Sequence, residues 1–339
     1  MTASPGSNPG SGSWLEKEWY RASPWQFILA PLSLLFLVLS SLRRAAYRLG
    51  WLRSERLPVP VIVVGNISVG GTGKTPLVLW LIRFLQQQGM HPGIVSRGYG
   101  GSSAAPRPAL ADSDAASVGD EPVLLASRSG CPVWVGRDRV ATGRALLEAH
   151  PECDIIVSDD GLQHYRLRRE VEIVVVDGQR RFGNGHLLPA GPLREGTGRL
   201  RGVDAVVVNG GGMLDLPVAQ FGMRLHGSSL RNLLSGEVLE AGALAGKNIH
   251  AVAGIGHPRR FFDHLRGLGL EFEAHAFPDH YAYRPGDLGW TDADAVIMTE
   301  KDAVKCTGFA SERYWGLAVE AEVSPGLGAL IMNKIRGVE

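Results

Sequence analysis

Residues 59–75 of this chain read VPVIVVGNISVGGTGKT, and their pattern is the most informative in the sequence. Their first part is rich in β-branched residues, which favour a buried strand. A glycine-rich loop follows and ends on Lys74 and Thr75, where apolar residues begin to recur on one helical face. Strand, glycine-rich loop and helix in this order are the layout of a phosphate-binding loop. The sequence therefore predicts a site for the phosphates of a nucleotide.

Eight consecutive residues are predicted to hold these phosphates. Glycine permits positive φ, so that successive backbone N–H groups can turn toward one anion. Lys74 supplies a positive charge for the outer phosphates, and the Thr75 hydroxyl can bind Mg²⁺. Position 68 is Ser where the strict pattern has Gly. The predicted nucleotide-binding residues are Ser68, Val69, Gly70, Gly71, Thr72, Gly73, Lys74 and Thr75.

The pattern along the chain predicts an α/β fold with a P-loop NTPase-like parallel sheet, a second, smaller α/β domain and an N-terminal hydrophobic helix. Strand-like stretches at 61–64, 93–96, 132–135, 154–158, 172–176 and 204–208 alternate with helical ones, which is typical of a parallel sheet covered on both faces. We expect a polar, disordered segment at 1–21, a membrane-associated helix at 22–48, the P-loop core at 49–225 and the smaller domain at 226–339.

Composition excludes two classes of function. The chain has 35 basic and 34 acidic residues, so nothing suggests a broad positive surface for nucleic acid. The three cysteines are odd in number and widely spaced, and their pattern indicates neither a disulfide framework nor a zinc site. A reducing, cytoplasmic compartment is the interpretation that fits this cysteine usage.

The N-terminal region predicts attachment to a membrane. Residues 22–42 carry no charge, and arginines flank them at positions 21, 43, 44 and 48. Their length is close to the roughly 20 residues that a spanning helix needs. Gln26, Pro31 and Ser33 weaken the apolar run, so a helix lying in one leaflet remains an alternative to a span. A buried core helix is disfavoured because the apolar residues surround the helix.

Four carboxylates follow predicted strands or loops. Residues 154–164, DIIVSDDGLQH, end a strand on Asp159 and Asp160. Such residues beside a phosphate loop can hold Mg²⁺, although an isolated pair is more often a solvated turn cap. Asp120 and Glu121 could serve as a base and a metal contact, or as the acidic first turn of a helix. With Thr75, the predicted metal ligands are Asp159, Asp160 and Glu121.

Several basic side chains could act on phosphate. Arg194, in LLPAGPLRE, could stabilise the transferring phosphoryl group or be an ordinary surface residue. His280 follows Asp279 in FPDHYAY and could handle a proton, although a lone histidine is usually structural. Three arginines near strand ends would suit an anionic substrate, with solvated loop arginines as the alternative. These candidates are Arg97, Arg137 and Arg139.

Eight motifs together resemble the tetraacyldisaccharide 4'-kinase family, the lipid A kinases of Gram-negative bacteria. They follow the family order through nearly all of the chain after the apolar segment. They are GNISVGGTGKTP (65–76), SRGYGG (96–101), VGDEP (118–122), VGRDR (135–139), DDGLQH (159–164), GNGHLLPAGPLRE (183–195), FPDHYAY (277–283) and TEKDAVK (299–305).

This resemblance implies transfer of the ATP γ-phosphate to the 4'-hydroxyl of a tetraacylated glucosamine disaccharide 1-phosphate in lipid A biosynthesis. It implies ATP and Mg²⁺ as ligands, this lipid and the inner membrane as partners, and a place at the cytoplasmic face of that membrane. Among the residues, it implies Asp120 as the base in concert with His280. It further implies that Lys74 and Arg194 act on the transferred group.

Two other classes of protein share parts of this pattern. A membrane-associated nucleotide switch or partitioning ATPase also carries G-G-x-G-K-T, but typically with a lysine before the glycines, where this chain has Val69. A non-catalytic nucleotide-binding scaffold would leave Asp120, Asp159 and Asp160 without a chemical role. The sequence therefore favours the kinase.

Overall fold

The computed structural model describes residues 18–21, 23–98 and 105–337. Most of the predicted disordered segment lies outside this range. The described chain forms two compact units, a larger one of residues 18–225 and 320–337 and a smaller one of residues 226–319.

The elements alternate as the sequence predicts. The helices are α1 Trp25–Arg48, α2 Lys74–Gln87, α3 Ala115–Val118, α4 Asp120–Ser129, α5 Arg139–Ala149, α6 Pro258–Gly267, α7 Glu300–Cys306 and α8 Leu327–Arg336. The strands are β1 Val61–Gly65, β2 Pro92–Ser96, β3 Arg107–Pro108, β4 Val133–Val135, β5 Ile155–Asp159, β6 Val171–Asp177, β7 Ala205–Asn209, β8 Gln220–His226, β9 Ser229–Asn232, β10 Val238–Glu240, β11 Ile249–Ala253, β12 Glu273–Ala276, β13 Ala295–Thr299, β14 Tyr314–Leu317 and β15 Glu320–Val323. Short 3-10 helices lie at Thr197–Gly202, Ala241–Leu244, Pro285–Leu288 and Thr307–Phe309.

The larger unit is built on a nine-stranded sheet in the order β15-β8-β7-β6-β1-β5-β2-β4-β3. From β8 to β4 the neighbouring strands are parallel, and β3 runs antiparallel to β4. All five residues of β1 are buried, because a parallel sheet covered on both faces takes a continuous apolar strand. On α2, Leu77, Leu81 and Leu85 lie on one buried face. The predicted parallel core is confirmed.

The segment 101–118 is rich in Ala, Ser, Pro and Asp and shows no apolar period in sequence, yet its described part, residues 105–118, contains regular structure. Residues 99–104 lie outside the described chain. The remainder contains β3 and α3, and the Asp114 side chain caps α3 by accepting a hydrogen bond from Ala116 N at 3.0 Å. Short elements of this kind have too few residues to show a period in sequence.

The smaller unit has its own six-stranded sheet, in the order β10-β9-β14-β13-β11-β12. The four strands from β14 to β12 are parallel, while β9 and β10 form an antiparallel extension. Helix α6 packs Phe261, Phe262 and Leu265 into the apolar core beneath the sheet. This is a second α/β unit, with its own core.

The chain returns to the larger unit after residue 319, whereas the sequence placed 226–339 in one domain. Strand β15 pairs beside β8 at one edge of the nine-stranded sheet. Arg83, on α2, forms an ion pair with Glu320 at 2.6 Å, and Phe84 packs against Gly328 of α8. These contacts are long-range in sequence, so local patterning does not contain them.

Helix α1 exposes most of its apolar surface. It is long and apolar enough to cross a membrane, yet only 6% of its most apolar window is buried within the structure. Phe27 is 82% exposed and Ile28 63%. The exception is Ser33, whose hydroxyl donates to Leu187 O at 2.8 Å and accepts from Ala190 N at 3.0 Å. The middle of α1 is therefore held against the larger unit.

Candidate active site

The predicted site lies where parallel strands of the larger unit end. The phosphate-binding loop follows β1, Asp159 ends β5, and Ser96 and Asn209 end β2 and β7. Because the carboxyl ends of parallel strands meet at one edge of a sheet, these residues share that edge. Ligands of open α/β sheets bind in this position.

Contacts from neighbouring segments fix the phosphate-binding loop. Two of its glycines take positive φ, 99° at Gly70 and 93° at Gly73. Val69 N donates to Pro192 O at 2.8 Å, and Asn209 Nδ2 donates to Thr72 O at 2.9 Å. A Cβ at Gly73 would lie 2.3 Å from Asn209 Nδ2, so this position requires glycine both for its φ and for space.

Lys74 begins α2 and faces a carboxylate. Its Nζ lies 3.6 Å from Asp160 Oδ1, and Arg194 Nη1 lies 3.1 Å from Asp160 Oδ2. Burial alone would raise the pKa of Asp160, but the charges of Lys74 and Arg194 hold it well below its usual range. Asp160 is therefore ionised at neutral pH, and it holds two cations beside the loop.

Asp159 is fully buried and incompletely hydrogen-bonded. Ser96 Oγ donates to its Oδ2 at 3.2 Å, while Oδ1 has no hydrogen-bond partner among the described residues. Burial and the nearby Glu121 charge raise the pKa of Asp159. A buried carboxylate oxygen without a donor is a ligand that fits a hard cation. Carboxylates and the Thr75 hydroxyl are the oxygen donors that Mg²⁺ prefers, so the residues present fit that ion.

Asp120 and Glu121 occupy the first turn of α4. Asp120 is buried, and its Oδ1 accepts a hydrogen bond from Glu121 N at 2.8 Å. The preceding residue, Gly119, has φ 96°, which lets the chain turn sharply into the helix. These residues therefore form the start of a helix, and Glu121 lies close enough to raise the pKa of Asp159.

The three candidate substrate arginines differ in position. Arg97 follows β2 and Arg137 follows β4, and both are exposed at the carboxyl edge of the sheet. Arg139 is 2% exposed and donates to Gly136 O at 2.8 Å and Asp159 O at 3.2 Å. Burial lowers its pKa to about 10. The Arg139 guanidinium therefore holds the end of β5 in this structure. The sequence had predicted a substrate contact for it.

His280 lies in the smaller unit, in a strained backbone conformation. Its φ is 59°, and the described non-glycine residues with positive φ are Asp160, Arg181 and His280. Asp279 Oδ1 accepts from His280 N at 3.0 Å and from Lys301 Nζ at 3.2 Å, and Lys301 Nζ lies 3.4 Å from His280 Nε2. Strain of this kind concentrates at functional sites. Two of the three strained residues belong to motifs that the sequence singled out.

Three residues that contact the candidate site residues were not singled out from the sequence, namely Ser96, Asn209 and Lys301. Ser96 and Lys301 stand inside quoted motifs, SRGYGG and TEKDAVK, so the motifs pointed to them. Asn209 follows a predicted strand and had no motif of its own. Its role depends on the pairing of β7 beside β6, which sequence alone does not give.

A phosphate loop, a charge-paired lysine and buried carboxylates at one sheet edge define a P-loop phosphotransferase. The model of the family LpxK, tetraacyldisaccharide-1-P 4'-kinase, matches residues 25–336. This chain belongs to the tetraacyldisaccharide-1-P 4'-kinase family, and the resemblance found in the sequence is confirmed.

Relatives and a solved structure agree with this assignment. The tetraacyldisaccharide 4'-kinase of Methylobacillus flagellatus is 53% identical over 325 residues, which are 95% of this chain and 96% of that protein. The protein of the same name from Alkalilimnicola ehrlichii is 55% identical over 310 residues, 91% of this chain and 92% of that one. The structure of LpxK from Aquifex aeolicus in complex with ATP superposes with a TM-score of 0.80 at 29% identity, covering 92% of this chain and 99% of that one.

Proposed function

We propose that this chain transfers the γ-phosphate of ATP to the 4'-hydroxyl of a tetraacylated glucosamine disaccharide 1-phosphate, a step of lipid A biosynthesis. The observation that carries this function is the Lys74–Asp160–Arg194 arrangement beside the phosphate-binding loop, in a chain of this family. The names of the relatives give the lipid substrate, and the Aquifex aeolicus structure gives ATP. Family membership favours the kinase over the nucleotide switch.

The loop and its cations bind the triphosphate. Backbone N–H groups from Gly70 to Thr75 bind the phosphates, while the Val69 N–H holds the loop to Pro192 O, and the start of α2 adds the positive end of its dipole. Lys74 leaves Asp160 for the outer phosphates when ATP binds, since 3.6 Å is a loose ion pair. Arg194, tethered through its backbone N to Ile67 O at 2.6 Å, stays close enough to neutralise charge on the transferring group.

Four residues are proposed to hold Mg²⁺, namely Thr75, Asp159, Asp160 and Glu121. The ion supplies charge neutralisation on the phosphate oxygens when it is bound. The protein prepares for it by keeping Asp159 buried, with Ser96 holding one oxygen and the other left without a donor. Arg139 fixes the backbone at the same residue, so the carboxylate keeps its direction.

Asp120 is proposed as the general base. It accepts the proton of the 4'-hydroxyl as the O4'–P bond forms and the bond to the leaving ADP oxygen breaks. His280, positioned by Asp279 and Lys301, is proposed to assist this proton transfer. Arg97 and Arg137, exposed at the strand ends, are proposed to contact the anionic lipid headgroup.

We propose that α1 lies in the cytoplasmic face of the inner membrane and does not cross it. Ser33, in the middle of the helix, is hydrogen-bonded to Leu187 and Ala190 of the larger unit, so a free run of about 20 residues for a span does not remain. Extracting the lipid would cost about 0.8 kcal/mol for each buried methylene. A kinase acting at the bilayer surface avoids that cost.

A transfer assay tests this function. Purified full-length protein in detergent, with γ-labelled ATP and Mg²⁺, is expected to label a tetraacyldisaccharide 1-phosphate. Lys74→Ala, as the matched loop variant, is expected to lose the labelling. ATP hydrolysis that is insensitive to the lipid, with no labelled lipid, would instead support a nucleotide switch.

A further inference from the structure

A cluster of histidine and acidic side chains lies in the smaller unit, away from the residues used above. It consists of His250 on β11 and of Glu273 and His275 on β12. In the parallel register His250 pairs with Glu273, and His275 is two residues further along β12. Because side chains alternate across a sheet, all three project from the same face. Each offers one ligand atom, and these atoms lie within 4.8 Å of one another.

The two imidazoles already point ring nitrogens at each other. His250 Nδ1 lies 2.9 Å from His275 Nε2, so at least one of these nitrogens presents a lone pair. Metal–nitrogen bonds to zinc are about 2.0–2.1 Å long, which places tetrahedral ligands about 3.4 Å apart. A small opening of the pair would therefore admit a cation. Glu273 Oε1 already lies 3.8 Å from His275 Nε2, and the Glu273 side chain is 65% exposed.

The surroundings of the cluster orient the rings. Trp290 stacks on both, with ring centroids 4.6 Å from His250 and 4.1 Å from His275. The other nitrogen of His250, Nε2, faces Asp292 Oδ1 at 4.0 Å. Asn248 Nδ2 holds the second oxygen of Asp292 at 3.1 Å. A carboxylate behind the far nitrogen of a histidine is the usual partner of a metal-ligating imidazole.

We propose that His250, His275 and Glu273 form a Zn²⁺ site that joins β11 to the edge strand β12. Two imidazoles and one carboxylate suit zinc, whereas Mg²⁺ favours all-oxygen ligand sets. On binding, the His250–His275 hydrogen bond is replaced by two metal–nitrogen bonds. The proton on the pair moves to His250 Nε2, toward Asp292, so the rings stay neutral and water completes the coordination.

The site is distinct from the catalytic residues of the same unit. Asn248 and Asp292 precede β11 and β13, at the amino ends of these parallel strands, while His280 and Lys301 follow the carboxyl ends of β12 and β13. We therefore assign it a structural role, which holds an edge strand to its neighbour. The three widely spaced cysteines have no part in it.

Equilibrium dialysis of untagged full-length protein against Zn²⁺, in excess Mg²⁺, tests the site. Wild type is expected to retain one more Zn²⁺ per chain than His275→Gln, and Zn²⁺ is expected to raise the Tm of wild type but not of His275→Gln. Asp292→Asn is expected to weaken binding about 10- to 100-fold. His150→Gln is the matched control, because His150 also pairs with a carboxylate, Glu152, at 3.2 Å but outside any cluster.

Glu273→Gln guards against misfolding of the histidine variants, since its exposed side chain leaves the core intact. A lower affinity in this variant, with unchanged circular dichroism, supports the site. Equal zinc stoichiometry and affinity in wild type, His275→Gln and Glu273→Gln would overturn it. The measurement does not use phosphate transfer, so it stands or falls separately from the kinase function.

Discussion

The carboxyl edge of the nine-stranded sheet and helix α1 belong to the same unit but differ in how their side chains are satisfied. At the sheet edge, charged groups form ion pairs within the protein, as Asp160 does with Lys74 and Arg194. On α1, large apolar side chains such as Phe27 face outward, and Ser33 is a polar anchor to the rest of the unit. The first region is organised before any ligand binds. The second leaves a large apolar area exposed, as interaction surfaces do.

We expect variants at the sheet edge to change chemistry without changing membrane binding, and variants on α1 to do the reverse. Asp120→Ala gives the largest effect. Loss of a general base lowers kcat about 10²- to 10⁴-fold, with a small change in ATP affinity. Initial rates of phosphate transfer and ATP calorimetry measure the two quantities.

Asp114→Ala is the control for this variant, because Asp114 caps α3 in the same segment and should affect stability alone. An equal loss of kcat and ATP affinity in Asp120→Ala would reassign Asp120 to nucleotide binding.

Leu34→Glu on the exposed face of α1 gives the next effect. Leu34 is 60% exposed, and a charge there is expected to lower partition into anionic vesicles about tenfold or more, with transfer to detergent-solubilised lipid unchanged. Vesicle sedimentation measures the partition. Ser33→Ala should leave partition intact while lowering stability by about 1 to 3 kcal/mol, because Ala190 N loses its acceptor. Partition unchanged in Leu34→Glu would move membrane contact to another surface.

Asn209→Ala removes a hydrogen bond that supports the phosphate-binding loop. Without the Asn209 amide, Thr72 O loses its donor and the loop loses a support, at a cost of about 1 to 3 kcal/mol. The Kd for ATP is expected to rise about tenfold, with kcat at saturating ATP nearly unchanged. Calorimetry on Asn209→Ala and on Asn209→Asp, which keeps the size but not the donor, separates packing from hydrogen bonding. Wild-type affinity in both would remove Asn209 from the support of the loop.

The smallest effect concerns pH. Burial and the charge of Arg139 lower the pKa of His164 from 6.5 to about 4. The unfolded chain then binds a proton between pH 6.5 and about 4 that the folded chain does not, so stability falls as the pH drops through that window. His164→Gln should flatten this dependence in urea titrations at pH 7 and pH 5, while the control His150→Gln should keep it. An unchanged slope in His164→Gln would show that other groups cause the dependence.

Local sequence patterns were enough to predict the strand, loop and helix that carry the phosphate-binding site. Strand β1, the loop and α2 follow from β-branched residues, glycines and a helical period within one window. Arg139 could not be placed in this way, because whether a loop arginine faces solvent or a strand end depends on how β4 and β5 lie in the sheet. The pairing of His250 with His275 likewise depends on two strands separated by a helix. Motifs gave most of the candidate site residues, whereas the contacts of these residues depend on long-range packing.

Strand β15 also bears on how the protein is made. It takes its place beside β8 only after the ribosome has produced residues 226–319, which form a compact unit of their own. The edge of the nine-stranded sheet at β8 therefore stays open during synthesis until Glu320–Val323 emerge. Early release of a truncated nascent chain would leave an unpaired strand edge, the kind of surface that recruits other chains into aggregates.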